Sequence, residues 1–186
     1  MNNKEIYIKL EKAVGDNNVQ EVSNILDQHS DLDLNDENLY TLHPPLCRAA
    51  KKGFYEICKT LIQYGADVNC IKDRLFSPLW GASSGNHLEI VKLLIENGAD
   101  INAYESSTTA ALNEVAAKGH FEIVRYLIEK GADINRLTTT LLFSPLDWSI
   151  SSGHNEISLF LKEKGALSNI NHDYVWSEVG LSLIHI

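Results

Sequence analysis

The sequence predicts an all-α solenoid, in which units of two helices and a turn stack side by side. The segment Gly-Ala-Asp-Val/Ile-Asn occurs at residues 65–69, 98–102 and 131–135, and a weaker copy follows at 165–169. The copies start 33, 33 and 34 residues apart, and a fixed period of roughly 20–50 residues is typical of repeat architectures. An amphipathic segment precedes each copy, so each unit has an apolar face that a neighbouring unit can bury.

Each repeat is predicted to contain two helices. The second has apolar residues at positions i, i+1, i+4 and i+5, as in residues 89–95, and the glycine after it supplies a left-handed C-terminal cap. The first helix is shorter and rich in alanine and serine, whose small side chains allow close helix packing. Proline, which a first helical turn tolerates, begins three of these first helices, at Pro45, Pro78 and Pro145.

These repeats resemble those of the ankyrin family. The family's Thr-Pro-Leu-His start corresponds to residues 44–47, 77–80, 110–113 and 144–147, and its Gly-His pair is kept at 119–120 and 153–154. Four other residues replace the family's histidine, namely Cys47, Trp80, Asn113 and Asp147. We therefore expect an altered hydrogen-bond network at that turn. Ala110 cannot cap its helix as threonine or serine would, which predicts that the repeat at 103–135 is the looser one.

The resemblance covers residues 4–169 and predicts one domain of five repeats. The repeats are a degenerate N-terminal copy at 4–35, full copies at 36–69, 70–102 and 103–135, and a C-terminal copy at 136–169. The pattern does not continue in residues 170–186, which are predicted to form an irregular tail.

The sequence of the last six residues, 181–186, indicates an artefact of DNA sequencing. Leu-Ser-Leu-Ile-His-Ile is what a transposase mosaic-end adapter of sequencing libraries encodes in one reading frame. Such a match indicates a translated scar, with the natural chain interrupted at that point. The alternative is an authentic short apolar tail that packs on the last repeat.

Composition and charge narrow the class of partner. The chain of 186 residues is 44% apolar and 22% charged, which is typical of a globular protein. Its net charge of −9 disfavours nucleic acid and anionic membranes and favours a partner protein with a basic surface. No stretch resembles a signal peptide or a membrane span, so we expect a cytoplasmic monomer, and secretion by a signal-independent route stays open.

Candidate chemical motifs have structural explanations. Residues 81–85 match the Gly-x-Ser-x-Gly nucleophile elbow, but Ser83 falls inside a predicted first helix, where the required strand-to-helix turn cannot form. The recurring turn histidines, His87, His120 and His154, lack acidic or cysteine partners, so we expect them to bond backbone groups rather than a metal. We predict no catalytic residue, metal or cofactor, and no enzymatic activity.

The three cysteines, at 47, 58 and 70, include no Cys-x-x-Cys pair, so neither a disulfide framework nor a zinc site is predicted. Cys47 and Cys58 fall within one helical pair, where they are expected to lie near each other as small core residues in a reducing compartment.

The resemblance implies that partners bind at the finger-like turns between repeats, here called fingers, and on the inner face of the first helices. Leucine or threonine occupies the usual glycine position of each finger, and with Phe76 and Phe143 makes the fingers apolar. We favour contact with a partner; the alternative is that the fingers fold inward and pack on each other. Trp80 and Trp148 are expected to belong to the core between repeats.

The predicted finger contacts are Tyr40, Thr41, His43, Asp73, Arg74, Phe76, Ser106, Ser107, Thr109, Thr140, Leu141 and Phe143. The predicted inner-face contacts are Lys51, Lys52, Ser84, Ala117, Lys118, Ser151 and Ser152.

The sequence therefore predicts a non-catalytic scaffold that binds another protein through the concave face and the fingers of a solenoid. A basic toxin and a host protein are examples of partners that would suit its charge. The alternative is a regulatory or targeting domain of a larger, truncated protein, such as an enzyme or a secreted effector.

Overall fold

The computed structural model describes residues 2–36, 38–39, 44–71, 76–103 and 109–170. Within these ranges the chain forms ten α-helices and no strand, which confirms the predicted all-α repeat fold. The helices are α1 (Asn3–Gly15), α2 (Val19–Gln28), α3 (Pro45–Lys52), α4 (Tyr55–Gln63), α5 (Pro78–Ser84), α6 (Leu88–Glu96), α7 (Ala111–Lys118), α8 (Phe121–Glu129), α9 (Pro145–Ser151) and α10 (Asn155–Glu163).

The chain divides into two compact units, Met1–Ser107 and Thr108–Ile186. Odd-numbered helices are the first helices of their repeats and even-numbered helices are the second. In the first unit α3 packs against both α1 and α5, and α4 packs against both α2 and α6. In the second unit α7 packs against α9 and α8 against α10. Each unit therefore has a layer of first helices and a layer of second helices.

The core of each unit lies between these two layers. In the second helices the apolar positions i, i+1 and i+4 are buried, as Ile90, Val91 and Leu94 are in α6. The fourth position of the pattern, Ile95, is half-buried at the edge of the apolar face. Four of the first helices, α3, α5, α7 and α9, contribute one buried leucine each at their first turn, such as Leu46 in α3.

A glycine in the left-handed conformation ends the last turn of α4, α6, α8 and α10, as predicted. At Gly65 φ is +86°, and the amide of Ala66 donates to the carbonyl of Leu61 across the end of α4. The same bond recurs at Gly98, where φ is +89°. Glycine accepts this conformation without the steric cost that a Cβ brings, so the cap satisfies carbonyls that α4 and α6 leave unbonded.

Asparagine side chains join the turns of successive repeats. Asn35 accepts a hydrogen bond from the amide of Asp67 at 2.8 Å and donates one to the carbonyl of Gly65 at 3.0 Å. Asn69 repeats both bonds one turn later, with the amide of Asp100 and the carbonyl of Gly98. Each of these two side chains thus satisfies a donor and an acceptor in the next turn. In the second unit Asn135 accepts from the amide of residue 167 at 2.8 Å.

We predict that Asn69→Ala lowers the free energy of unfolding by about 1 kcal/mol, because two backbone groups of the next turn lose their partners. Urea denaturation of the variant measures this loss. Asn97→Ala is the matched control, since the side chain of Asn97 donates to the carbonyl of Leu93 within its own repeat. A loss for Asn97→Ala as large as that for Asn69→Ala would contradict a special role for the inter-turn bonds.

The N-terminal caps of the first helices differ between repeats. Ser77 and Ser144 accept hydrogen bonds from the amides of Trp80 and Asp147, whereas Ala110 provides no side-chain cap, as predicted. The backbone at Ala110 (φ −79°, ψ 163°) is nonetheless close to that at Ser144 (φ −77°, ψ 168°). Helix α3 also lacks a side-chain cap, because proline precedes it at Pro44.

We expect Ala110→Ser to raise the free energy of unfolding by about 1 kcal/mol, because the backbone is already in the capping conformation. Thermal melting and hydrogen exchange of the amides of α7 measure the gain. Ser77→Ala is the reciprocal variant, and it should lose a similar amount. The looser state proposed for residues 103–135 would be wrong if α7 already exchanged more slowly than α5 in the unaltered chain.

Candidate functional site

The structure describes part of the predicted binding surface. Lys51, Lys52 and Ser84 lie on first helices of the first unit, and Phe76 lies next to α5. In the second unit Ala117, Lys118 and Ser151 lie on first helices, and Ser152 follows α9 directly; Thr109, Thr140, Leu141 and Phe143 lie in finger segments. Other predicted contacts lie outside the described residues, namely Tyr40, Thr41, His43, Asp73, Arg74, Ser106 and Ser107.

In the first unit an aromatic pair with a cation lies beside α5. The rings of Phe76 and Trp80 have centroids 5.5 Å apart and planes inclined at 34°. The Nζ atom of Lys51, on the neighbouring α3, lies 4.5 Å from the centroid of the Phe76 ring, a cation–π distance. A Cβ at Gly81 would stand 3.2 Å from the same ring, so the absent side chain leaves room for it. Phe76 is therefore half-buried against its own repeat.

The second unit has a similar pair, with Phe143 and Trp148 centroids 5.1 Å apart and planes inclined at 55°. Both tryptophans are half-buried, and each ring packs against a finger phenylalanine. These pairs were not predicted from the sequence, although the spacing Phe-x-x-x-Trp or Phe-x-x-x-x-Trp from finger to first helix could have indicated them.

The finger at residues 137–143 is closed by hydrogen bonds. The amide of Thr138 donates to the carbonyl of Phe143 at 2.9 Å, and the amide of Phe143 donates to Oγ1 of Thr138 at 3.0 Å. The amide of Leu142 donates to the carbonyl of Thr138 at 3.1 Å. Because these bonds hold the loop, Leu141 and Leu142 stand at its tip with 54% and 53% of their surface exposed.

Leu142 has a φ of +53°, in the left-handed region. In this conformation the Cβ of a leucine approaches the following carbonyl oxygen, which costs on the order of 1 kcal/mol relative to glycine. The hydrogen bond from Nδ2 of Asn169 to the carbonyl of Leu142, at 2.9 Å, helps to hold it there. The sequence pattern placed Leu142 at the family's glycine position but did not include it among the binding residues.

Turn histidines fix the ends of the first helices. Nε2 of His87 lies 3.2 Å from the carbonyl oxygen of Lys51, and Nε2 of His154 lies 3.0 Å from that of Ala117. A Cβ at Gly53 would stand 2.5 Å from the His87 ring, so the close approach requires glycine there. These contacts confirm the expected bonding of His87 and His154 to backbone. Within the described ranges no group of three or more His, Cys, Asp or Glu side chains could hold a metal ion.

Comparison with known proteins agrees with this architecture. A family model of ankyrin repeats in three copies matches residues 10–105 and 105–172. The chain belongs to the ankyrin-repeat family. A protein named as a putative ankyrin repeat protein from Rickettsia bellii (strain RML369-C) is 39% identical to it over 67 residues. That match covers 34% of this chain and 39% of the relative, so the chain aligns with well under two thirds of the relative's length.

Three of the residues that replace the ankyrin histidine bond the chain about 23 positions further on. Nδ2 of Asn113 donates to the carbonyl of Arg136 at 2.8 Å, and Sγ of Cys47 lies 3.5 Å from the carbonyl oxygen of Cys70. Asp147 accepts from the amide of Asn169 at 3.0 Å. The network is thus altered in chemistry, as predicted, while it still ties the first helix to the chain at the boundary where its repeat ends.

Asp147 is the most heavily bonded of these ankyrin side chains. It also accepts from the amide and the hydroxyl of Ser144, at 2.8 and 2.7 Å, and from the hydroxyl of Ser168 at 2.6 Å. Burial raises the pKa of this carboxyl, but the hydrogen bonds from Ser168, Ser144 and Asn169 together outweigh burial and hold its pKa below the ordinary value. The charged form is therefore a structural element of the last ankyrin repeat.

Ser83 does not form a nucleophile elbow. It lies within α5, is fully buried, and its hydroxyl has no hydrogen-bond partner, so a substrate could not reach it. None of the described helices of this ankyrin-repeat chain is long and apolar enough to cross a membrane.

We predict that Asp147→Asn destabilises the protein by about 2 kcal/mol at pH 7, since bonds to a charged acceptor are lost. Because the folded-state pKa is lowered, this stabilisation is present above about pH 4 and is lost as the pH falls through the folded-state pKa. The difference between variant and unaltered chain should therefore shrink in acid. Urea unfolding at a series of pH values measures it.

The control for this titration is Asp31→Asn, which removes one exposed carboxylate. A difference for Asp147→Asn that stays constant from pH 7 to acid would contradict the role of its charge.

Proposed function

We propose that this ankyrin-repeat protein is a non-catalytic scaffold that binds a partner protein through its fingers and its first helices. Ankyrin repeats generally serve in protein–protein interaction, and the family is typically non-catalytic. The observation that carries the proposal for this chain is the finger tip at Leu141 and Leu142, where two leucines are more than half exposed.

Two features of the tip favour a binding role over simple loop closure. A leucine at φ +53° is less favourable than glycine, and 53% of the surface of this leucine stays exposed in the free protein. The hydrogen bonds of Thr138 and Phe143 hold the loop in one conformation, so little conformational entropy is lost when it docks. An apolar pocket on a partner would bury both leucines and compensate for the strain.

Charge supports the choice of partner. The net charge of −9 favours association with a basic protein, such as a toxin or a host protein, through long-range attraction. Exposed carboxylates are frequent on the second helices, for example Glu89 and Glu122, whereas Lys51 and Lys52 are exposed on the first helix α3. We propose that the apolar tip of the second unit anchors the partner.

The proposal places the protein in the cytoplasm as a monomer. Its three cysteines are buried and reduced, which fits a reducing compartment. The alternative, a regulatory or targeting domain of a larger protein, draws on the short stretch over which the Rickettsia relative matches. The gene sequence distinguishes the two functions, because a further domain in the same reading frame would favour the alternative.

The test compares the effect on partner binding of substitutions at Leu142 and Leu159, two leucines of similar exposure at different places in the second unit. Affinity purification with this chain as bait captures a partner, and mass spectrometry identifies it. Calorimetry then measures the affinity of the partner for the chain. Leu142→Gly should weaken binding at least tenfold, or about 1.4 kcal/mol or more, with no loss of melting temperature because glycine relieves the strain.

Leu159→Ser is the matched control, because Leu159 is 62% exposed on the second helix α10 of the same unit. Its affinity should match that of the unaltered chain. Equal affinity losses for both variants, or none for Leu142→Gly, would overturn the proposed site. Phe76 and Phe143 are less informative positions, since both rings pack on tryptophans and their truncation also lowers stability.

A further inference from the structure

Two thiols, one in the second repeat and one at the first position of the third, are in direct contact. Cys47 lies in the first turn of α3, and Cys70 follows the turn that ends the same repeat. Their Sγ atoms are 3.6 Å apart, the van der Waals distance of two sulfurs. Cys47 is fully buried and Cys70 is 9% exposed. The predicted neighbour of Cys47 was Cys58, but the sulfur contact is with Cys70.

We propose that Cys47 and Cys70 form a modification site, a dithiol that hydroperoxides oxidise reversibly to an intramolecular disulfide. A disulfide has a sulfur–sulfur distance of about 2.05 Å, so the two atoms have to approach by about 1.5 Å. Rotation of the side chains about their Cα–Cβ bonds supplies movement of this size.

The alternative role of this contact is purely structural. The thiol of Cys47 lies 3.5 Å from the carbonyl oxygen of Cys70, so it can donate a hydrogen bond like the side chain of Asn113 in its own repeat. Serine in place of Cys47 would keep a donor there and could not form the disulfide. This difference separates the two roles by experiment.

The chemistry is balanced with one hydroperoxide. The thiolate of Cys70, the more exposed of the two, attacks the peroxide oxygen; the O–O bond breaks, an alcohol or water leaves, and a sulfenic acid forms on Cys70. Cys47 then attacks that sulfur, the S–O bond breaks, and water leaves with the thiol proton. Each sulfur has lost one electron, and the peroxide has gained two.

Cys58 provides an internal comparison. It is buried in α4, and burial raises the pKa of its thiol to about 12. A thiol in that state forms almost no thiolate near neutral pH and reacts slowly with peroxide. The three cysteines of the chain should therefore divide into one reactive pair and one inert residue.

The disulfide would restrict the second repeat. It closes a loop from residue 47 to residue 70 that contains α4. The closed loop has fewer conformations in the unfolded chain, so the disulfide favours the folded helical pair. It also holds the first turn of α3, the end that lacks a side-chain cap. We expect the oxidised form to melt roughly 5–10 °C higher than the reduced form.

The experiment treats the full chain with a small excess of hydrogen peroxide and analyses it without reduction. The expected result is a monomer lighter by about 2 Da, one remaining titratable thiol, and a peptide that links Cys47 to Cys70. The higher melting temperature should return to its starting value on reduction with dithiothreitol.

Three variants complete the test. Cys58→Ala should form the same disulfide, whereas Cys47→Ser and Cys70→Ser should show neither the linked peptide nor the rise in melting temperature. A disulfide that includes Cys58, a disulfide between two chains, or oxidation to sulfinic acid without a linked peptide would overturn the proposal. So would an equal rise in melting temperature for Cys47→Ser.

Discussion

The inter-turn asparagine is the interaction on which the rest of each unit depends. A solenoid has few contacts between residues distant in sequence, so the spacing of its repeats has to be fixed by neighbours alone. Asn35 and Asn69 fix it by bonding one amide and one carbonyl of the next turn. Since both ends of the side-chain amide are used, neither a shorter nor a charged side chain would satisfy the same two groups.

A second set of ties acts in three of the repeats, at the position where the ankyrin family carries histidine. Cys47, Asn113 and Asp147 differ in chemistry, yet each bonds the chain 22 or 23 residues later. The reason is geometric, because a chain that runs through two antiparallel helices and a turn returns to the start of its first helix after that length. The same return of the chain brings the thiols of Cys47 and Cys70 into contact. It also brings donors of Ser168 and Asn169 to the buried carboxylate of Asp147.

Much of the fold could be predicted from the sequence because its signals are local. The period of the Gly-Ala-Asp-Val/Ile-Asn segment, the left-handed glycines and the missing cap at Ala110 each depend on residues close in sequence. The surface was harder, because exposure depends on packing across repeats. Phe76 was expected to project from its finger, but Trp80 and the vacant side of Gly81 give its ring a place to pack.

The cysteines show the same limit. Proximity was expected within one pair of helices, between Cys47 and Cys58, and the contact that the return of the chain after 23 residues makes between Cys70 and Cys47 was not foreseen. Leu142 shows a different limit of prediction from sequence. The repeat pattern aligns Leu142 with the glycine position of a finger, but only the structure shows that its φ is +53° and that its side chain is exposed.

The tip formed by Leu141 and Leu142 is the surface that we propose a partner covers. Hydroxyl-radical footprinting of the leucines, read by mass spectrometry with and without the partner, tests this proposal without any substitution. We expect oxidation of Leu141 and Leu142 to fall several-fold in the complex, while that of Leu159 on α10 stays unchanged. Protection of Leu159 with Leu141 and Leu142 still fully oxidised would contradict it.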